Sequence, residues 1–207
     1  MTDDAQKNAE HTAAMKALKA ERDEMMKEKK IREKGLIIIH TGNGKGKSSS
    51  AFGMIMRCIA HGMPCGVVQF IKGNWITGEK RFLRERFAEE CRFVVSGEGF
   101  TWDTQDREAD IAAARHGWEE AKAMILEPGM KKVVLDEINI ALRYDYLPVA
   151  EVVDFLTTRK PEMTHVVLTG RDAKPELIAI ADLVTEMAEI KHPFREQGVV
   201  AQRGVEF

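Results

Sequence analysis

The sequence predicts an α/β domain, a mostly parallel sheet flanked by helices, carrying an N-terminal helical extension. Three observations predict it. Short β-branched runs alternate with amphipathic stretches along most of the chain, which calls for crossover connections and helices on both faces of a sheet. A Gly-rich run, Thr41 to Ser49 (TGNGKGKSS), directly follows the first apolar strand. Before Gly35 the texture differs: Met1 to Lys34 are rich in Lys, Glu and Ala and contain no Gly or Pro.

That first segment, residues 1–34, favours helix by composition. Its thinly spread apolar residues, Met15, Leu18, Met25 and Met26, make too narrow a stripe to bury alone. The expectation is a solvated helix, or one that orders against a partner or ligand site. The domain proper is expected over 35–207. Leu36 to Ile39 form a continuous β-branched run, the mark of a strand buried on both faces. Ser48 to His61 read as a helix stopped by Gly62 and Pro64. Gly66 to Ile71 make a second strand, Glu79 to Glu90 a helix and Arg92 to Val95 a third strand. Asp106 to Leu126 make a long amphipathic helix ended by Pro128 and Gly129. Lys132 to Leu135 form a fourth strand closing on Asp136 and Glu137. Val149 to Thr158 are helical, His165 to Leu168 a fifth strand, Pro175 to Ala181 a helix and Leu183 to Ile190 a last strand. No repeat or internal linker divides the domain.

The Gly-rich run has the composition of a phosphate cradle. Gly42, Gly44 and Gly46 let backbone N–H groups converge on an anion, and the following helix offers its positive end. Asn43 and Ser49 complete the loop. Lys47 is placed to reach phosphate oxygens, and the Ser48 hydroxyl to bind Mg²⁺. The strand–loop–helix order is that of a P-loop, but the spacing departs from G-x-x-x-x-G-K-[ST]. Thr41 stands where the first glycine belongs, and Lys45 adds a second cation inside the loop. Phosphates are therefore expected to sit differently from those of a standard ATPase. Downstream, Val133-Val134-Leu135-Asp136-Glu137 resembles a Walker B element, an apolar strand ending in acids that hold Mg²⁺ directly or through water. Arg171 follows the fifth strand; a phosphate contact and a surface salt bridge are both open to it.

Bulk properties exclude several classes. A formal net charge of -2 argues against a strongly electrostatic binder of nucleic acid or membrane. Three cysteines without a CxxC pair do not make a disulfide framework and suggest a reducing compartment. The first thirty residues have no apolar signal core, and no apolar run approaches the ~18 residues of a membrane span. The expectation is a cytoplasmic protein. No HExxH, no G-x-S-x-G elbow and no paired Cys and His suggest a protein nucleophile. Gly97-Glu98-Gly99-Phe100-Thr101-Trp102 puts two large aromatics in a Gly-rich connection, either a wall for a flat ligand or a cover for the sheet edge.

Taken together, TGNGKGKSS, QFIKGNW (69–75), GEGFTWDTQDREAD (97–110), VVLDEINIALRYDYLP (133–148), LTGR (168–171) and KHPFREQGVVAQRGVEF (191–207) resemble the P-loop ATP:corrinoid adenosyltransferases of the CobA/CobO/BtuR type. The resemblance runs from about Gly35 onward, in order and with the family's spacing. It implies a P-loop NTPase fold similar to RecA and a homodimer. It implies transfer of the 5′-deoxyadenosyl group of ATP to a reduced Co(I) corrinoid, in adenosylcobalamin biosynthesis or salvage, with triphosphate leaving. A reduced flavoprotein is the implied electron donor. Carried over by position, Gly42 to Ser48 would bind triphosphate, with Lys47 and Lys45 stabilising its charge. Ser48 and Glu137, with Asp136 adjoining, would hold Mg²⁺, and Phe100 and Trp102 would line the corrinoid site. The segment before Gly35 would cover that site. Ser48 stands where many members have Thr; both supply a hydroxyl. An ordinary P-loop ATPase or kinase would explain the loop and the acids but not Phe100 and Trp102. A non-enzymatic carrier would bind both ligands without turnover.

Overall fold

The computed structural model describes residues 3–29, 32–71, 77–96 and 106–207. The chain forms two compact units, Met1–Glu33 and Lys34–Phe207. The first is one helix, α1 (Asp3–Glu28). Its apolar residues do not gather on one face, and Met15, Leu18, Met25 and Met26 stay exposed.

The second unit is built on six strands: β1 (Ile37–Thr41), β2 (Cys65–Gln69), β3 (Cys91–Val95), β4 (Lys132–Asp136), β5 (His165–Thr169) and β6 (Leu183–Glu186). They form a single sheet in the order β3-β2-β4-β5-β1-β6, and every pair is parallel. The helices are α2 (Lys47–Ala60), α3 (Gly78–Arg86), α4 (Arg107–Leu126), α5 (Ile138–Arg143), α6 (Val149–Thr158), α7 (Pro175–Ile180) and α8 (Pro193–Gln197).

The pleat explains why the strands read as unbroken apolar runs. Successive side chains point to opposite faces, and both faces are covered over β1, β2, β4 and β5, whereas β6 at the sheet edge stays exposed. Ile37, Ile39, Val133, Leu135, Val166 and Leu168 face one core with Trp118, Met124, Leu142 and Phe155 from α4, α5 and α6. Ile38, Val67, Val134 and Val167 face the other, with Phe52 and Ile55 of α2 and Leu83 of α3. Parallel sheets need this double cover. Asp106 caps α4, its carboxylate accepting from the N–H groups of Glu108 and Ala109 at 3.1 Å each. Cys58, Cys65 and Cys91 are all free and buried.

The structure corrects several boundaries. The helix expected over 79–90 ends at Arg86, because the Phe87 carbonyl accepts from the Cys91 N–H at 2.8 Å and turns the chain into β3. The last strand stops at Glu186 rather than continuing to Ile190. Helices α5 and α8 were not expected; both are short, with too few residues to show a 3.6-residue period.

Candidate functional site

The carboxyl ends of the strands gather the sequence-predicted phosphate and metal residues. Strand β5 lies between β1, which feeds the glycine loop, and β4, which ends in the acids. In open parallel sheets ligands bind along this edge.

The loop leaves β1 at Thr41 and enters α2 at Lys47. Gly46 occupies the helix N-cap at φ 109°, with no side chain capping the first turn, and Gly42 sits at φ 92°. Both angles lie where residues with a Cβ are strained. A helix N-terminus that follows such a loop suits an anion. The Lys47 side chain is buried and folds back inside the loop. Its ammonium donates to the carbonyls of Gly42 at 2.7 Å and Gly44 at 2.5 Å. His40, buried at the end of β1, lies 3.3 Å through Nδ1 from the Lys47 carbonyl. That contact fixes the start of α2 and makes His40 structural.

A segment after β6 covers the outer side of the loop. The Gly44 N–H donates to the Met187 carbonyl at 2.6 Å, and the Met187 N–H donates to the Thr41 carbonyl at 2.9 Å. A Cβ on Gly42 or Gly44 would fall within 2.5 Å of the carbonyl oxygen of Met187 or Ala188 respectively. These two glycines are required by close packing of backbone on backbone. The Gly44 amide is committed to protein rather than to a ligand, in keeping with the displaced glycine spacing. Lys45 forms an ion pair with Glu206. Asn43 is exposed, Ser48 half-buried and Ser49 exposed. Ser49 opens onto an apolar groove of about 260 Å³ between α2 and α3.

The two acids differ sharply. Asp136 is fully buried. Its Oδ2 accepts from Gln69 Nε2 at 2.9 Å and its Oδ1 from the Thr169 hydroxyl at 2.8 Å. The Thr169 oxygen in turn accepts from the Glu137 N–H at 2.9 Å. Glu137 sits at φ 63°, a left-handed conformation uncommon for a residue with a side chain. It is held there as the N-cap of α5. Its half-buried carboxylate lies near Gly170, whose own φ is 127° and whose Cβ, if present, would meet Glu137 Oε2 at 3.2 Å. Asp136 is therefore a bracket for the strand ends, and Glu137 the acid turned toward the edge.

The loop after β5 is pinned to this frame. The Gly170 N–H donates to the His40 carbonyl at 3.2 Å and the Ala173 N–H to the Thr41 hydroxyl at 3.1 Å. Asn139 Nδ2 donates to the Gly170 carbonyl at 3.0 Å. Arg171 is exposed and makes no ion pair among the described residues; its neighbour Asp172 pairs with Arg143 at 2.7 Å. Two acceptors at this edge, Gln69 Oε1 and Asn139 Oδ1, are buried without a hydrogen-bond partner. Phe100 and Trp102 lie outside the described residues.

Sequence reasoning missed Thr169, Gln69, Asn139 and Met187. Thr169 and Gln69 sit in the quoted runs LTGR and QFIKGNW, so the signal was present; their function depends on which strands are neighbours. Met187 acts through its backbone, which leaves no mark in a sequence.

The geometry agrees with the comparisons. A family model described as ATP:corrinoid adenosyltransferase BtuR/CobO/CobP matches residues 33–207. A corrinoid adenosyltransferase from Sinorhizobium sp is 60% identical over 200 residues, covering 97% of this chain and 92% of that protein. One from Pseudomonas aeruginosa is 50% identical over the full length of both. A third, from Escherichia coli K12, is 46% identical over 84% of this chain and 87% of its own. With the loop, the acids and the matching length together, this chain belongs to the ATP:corrinoid adenosyltransferase family.

Proposed function

We propose that this protein transfers the 5′-deoxyadenosyl group of ATP to the Co(I) of a reduced corrinoid, releasing triphosphate, in the making or salvage of adenosylcobalamin. The observation that carries the reading is the short glycine loop with Lys47 folded into it, at the same sheet edge as Glu137. A Co(I) corrinoid is itself a strong nucleophile, so the protein needs no base or covalent residue. The absence of a nucleophilic constellation in the sequence suits that chemistry. What the protein supplies is alignment and charge stabilisation. On ATP binding the Lys47 ammonium exchanges the Gly42 and Gly44 carbonyls for phosphate oxygens and stabilises charge growing on the leaving triphosphate. The amides at the start of α2 and Lys45 act with it.

The residues fit Mg²⁺. The donors are oxygens, from Ser48, Glu137 and, through water, Asp136. No group of three or more His, Cys, Asp or Glu able to hold a metal occurs among the described residues. Mg²⁺ characteristically takes one or two carboxylates plus substrate phosphates and keeps several waters. The buried, unpartnered Gln69 Oε1 beside Asp136 is suited to accept from such a water. When bound, the ion neutralises phosphate charge. Phe100 and Trp102 would wall the corrinoid and keep its lower axial ligand away from cobalt. We further propose a homodimer, a reduced flavoprotein as electron donor and a cytoplasmic location. No helix among the described residues is long and apolar enough to cross a membrane.

The test is anaerobic. Protein, Mg-ATP and chemically reduced cobalamin are mixed, the Co(I) absorption band is followed, and the phosphate product identified. Adenosylcobalamin with triphosphate is the expected result. Intact Co(I) with ADP would return the protein to the general P-loop ATPases, and intact Co(I) with no nucleotide consumed would leave a binding role. In the same assay Trp102→Ala is expected to impair substrates whose lower ligand must be removed; normal rates with intact cobalamin would overturn that assignment.

A further inference from the structure

The ion pair between Lys45 and Glu206 joins the phosphate loop to a segment 161 positions away. Nothing in the proposed chemistry uses Glu206. The carboxylate is well placed by its own backbone: the N–H groups of Val205 and Glu206 donate to the Gln202 carbonyl at 3.2 and 2.9 Å, and the Gly204 N–H donates to the Phe207 carbonyl at 2.8 Å. This closed turn, with Gly204 at φ 79°, presents Glu206 to the loop. The Glu206 side chain keeps 20% of its surface exposed, the Lys45 side chain 54%. The acid is thus the more buried partner and the lysine the more exposed one. The loop is also tied to Met187 through the adjacent Gly44, which limits its freedom to carry Lys45 away on its own.

We propose that Glu206 is an affinity-determining residue that competes with triphosphate for Lys45. Its carboxylate pairs with a cation that the proposed function assigns to phosphate; the inference rests on that assignment. A triphosphate must displace the carboxylate and then tolerate a like charge beside it. When triphosphate leaves as product, Lys45 returns to Glu206, which favours release. The residue therefore trades ground-state affinity for product departure.

The experiment is titration calorimetry of inorganic triphosphate, at fixed Mg²⁺ and low salt, into the protein and five variants. Glu206→Gln keeps the shape and removes the charge, and is expected to bind triphosphate about two- to fivefold more tightly, the scale of a partly exposed ion pair. Glu206→Asp keeps the charge and stays near the wild-type value. Lys45→Ala weakens binding, and adding Glu206→Gln to it restores no affinity, because the acid acts through the lysine. Unchanged or weaker binding by Glu206→Gln overturns the inference. So does equal tightening with and without Lys45, which would be a general charge effect. Lys47→Ala separates the two readings. If it retains wild-type triphosphate affinity, the assignment of the loop itself fails, whereas lost affinity in Lys47→Ala with no Glu206 effect removes only the competition.

Discussion

The two ends of the same six strands are built by opposite rules. At the amino end, polar groups close on one another. The Lys160 ammonium donates to the carbonyls of Gly35, Pro161 and Thr164 at 3.0, 3.0 and 2.9 Å. His165 Nδ1 accepts from the Leu36 N–H at 3.1 Å. Asp182 accepts from the Ile37 N–H at 2.9 Å and pairs with Lys34. The thiols there are held toward the protonated form: a hydrogen bond to Cys91, then burial, pushes the Cys65 thiol up, and burial does the same for Cys58, away from the reactive thiolate. At the carboxyl end the bonding is left open. Gln69 Oε1, Asn139 Oδ1, Glu189 Oε2 and His192 Nδ1, the buried unpartnered side-chain atoms among the described residues, all lie at or beyond the carboxyl ends of β2, β4 and β6. Buried polar groups are ordinarily paired, so these four exceptions among the described residues set the carboxyl edge apart from the amino edge.

The contrast is broken most severely at Lys47. Lys47→Ala is expected to lower adenosyl transfer by about 10²–10³-fold, as for loss of one preorganised charge-stabilising donor, with Co(I) consumption as the readout. A rate within twofold of wild type would remove the loop from the chemistry. Next comes Thr169, whose one hydroxyl serves both Asp136 and Glu137. Thr169→Val removes the hydrogen bonds this hydroxyl makes to the buried Asp136 carboxylate and the half-buried Glu137 N–H, for a loss of about 1–3 kcal/mol in urea unfolding. It should also weaken Mn²⁺ binding measured by electron paramagnetic resonance, whereas Thr169→Ser keeps both properties. Undiminished Mn²⁺ affinity in the valine variant would make Thr169 purely structural.

At the opposite edge Lys160→Met is expected to cost a similar ~1–3 kcal/mol, since hydrogen bonds to a charged donor are lost. The KM for ATP should not move. A change in that KM would mean the two edges are coupled. The smallest effect is on pH. Burial, then the nearby charges of Lys132 and Lys160, hold the His165 imidazole below its ordinary 6.5, so the folded protein binds its proton less readily than the unfolded chain. Its contribution is full above that value and declines as pH falls below it. For Asp182, burial opposes ionisation, but the Lys34 ammonium and the Ile37 amide outweigh it and hold the carboxyl below its ordinary 3.8. That second contribution is lost only as pH falls further, through the folded-state value. Melting temperature should therefore decline in two stages on acidification, and His165→Gln should abolish the first. A flat melting profile between pH 7 and 5 would contradict the His165 arrangement.

How much of this was legible in the chain depends on how local the cause is. Six β-branched or aliphatic runs, separated by helical periods, determine a parallel sheet, because the alternation of strand and helix is local in sequence; that the sixth run is an exposed edge strand is not. The glycine loop, Lys47, Ser48 and the Asp136-Glu137 pair were equally legible, since strand, loop and helix are contiguous. Tertiary structure alone decided the rest. Which acid faces the edge follows from β2 and β5 flanking β4, so that Gln69 and Thr169 take both oxygens of Asp136 and leave Glu137 turned outward. That Gly42 and Gly44 meet Met187 and Ala188 follows from β6 lying beside β1, and Lys45 meets Glu206 only because the chain beyond β6 returns to the loop. Sequence carries periodicity and local turn chemistry, but neighbours in a sheet are chosen by how the crossovers pack, and every contact that distinguishes this loop from a general phosphate cradle is one of those.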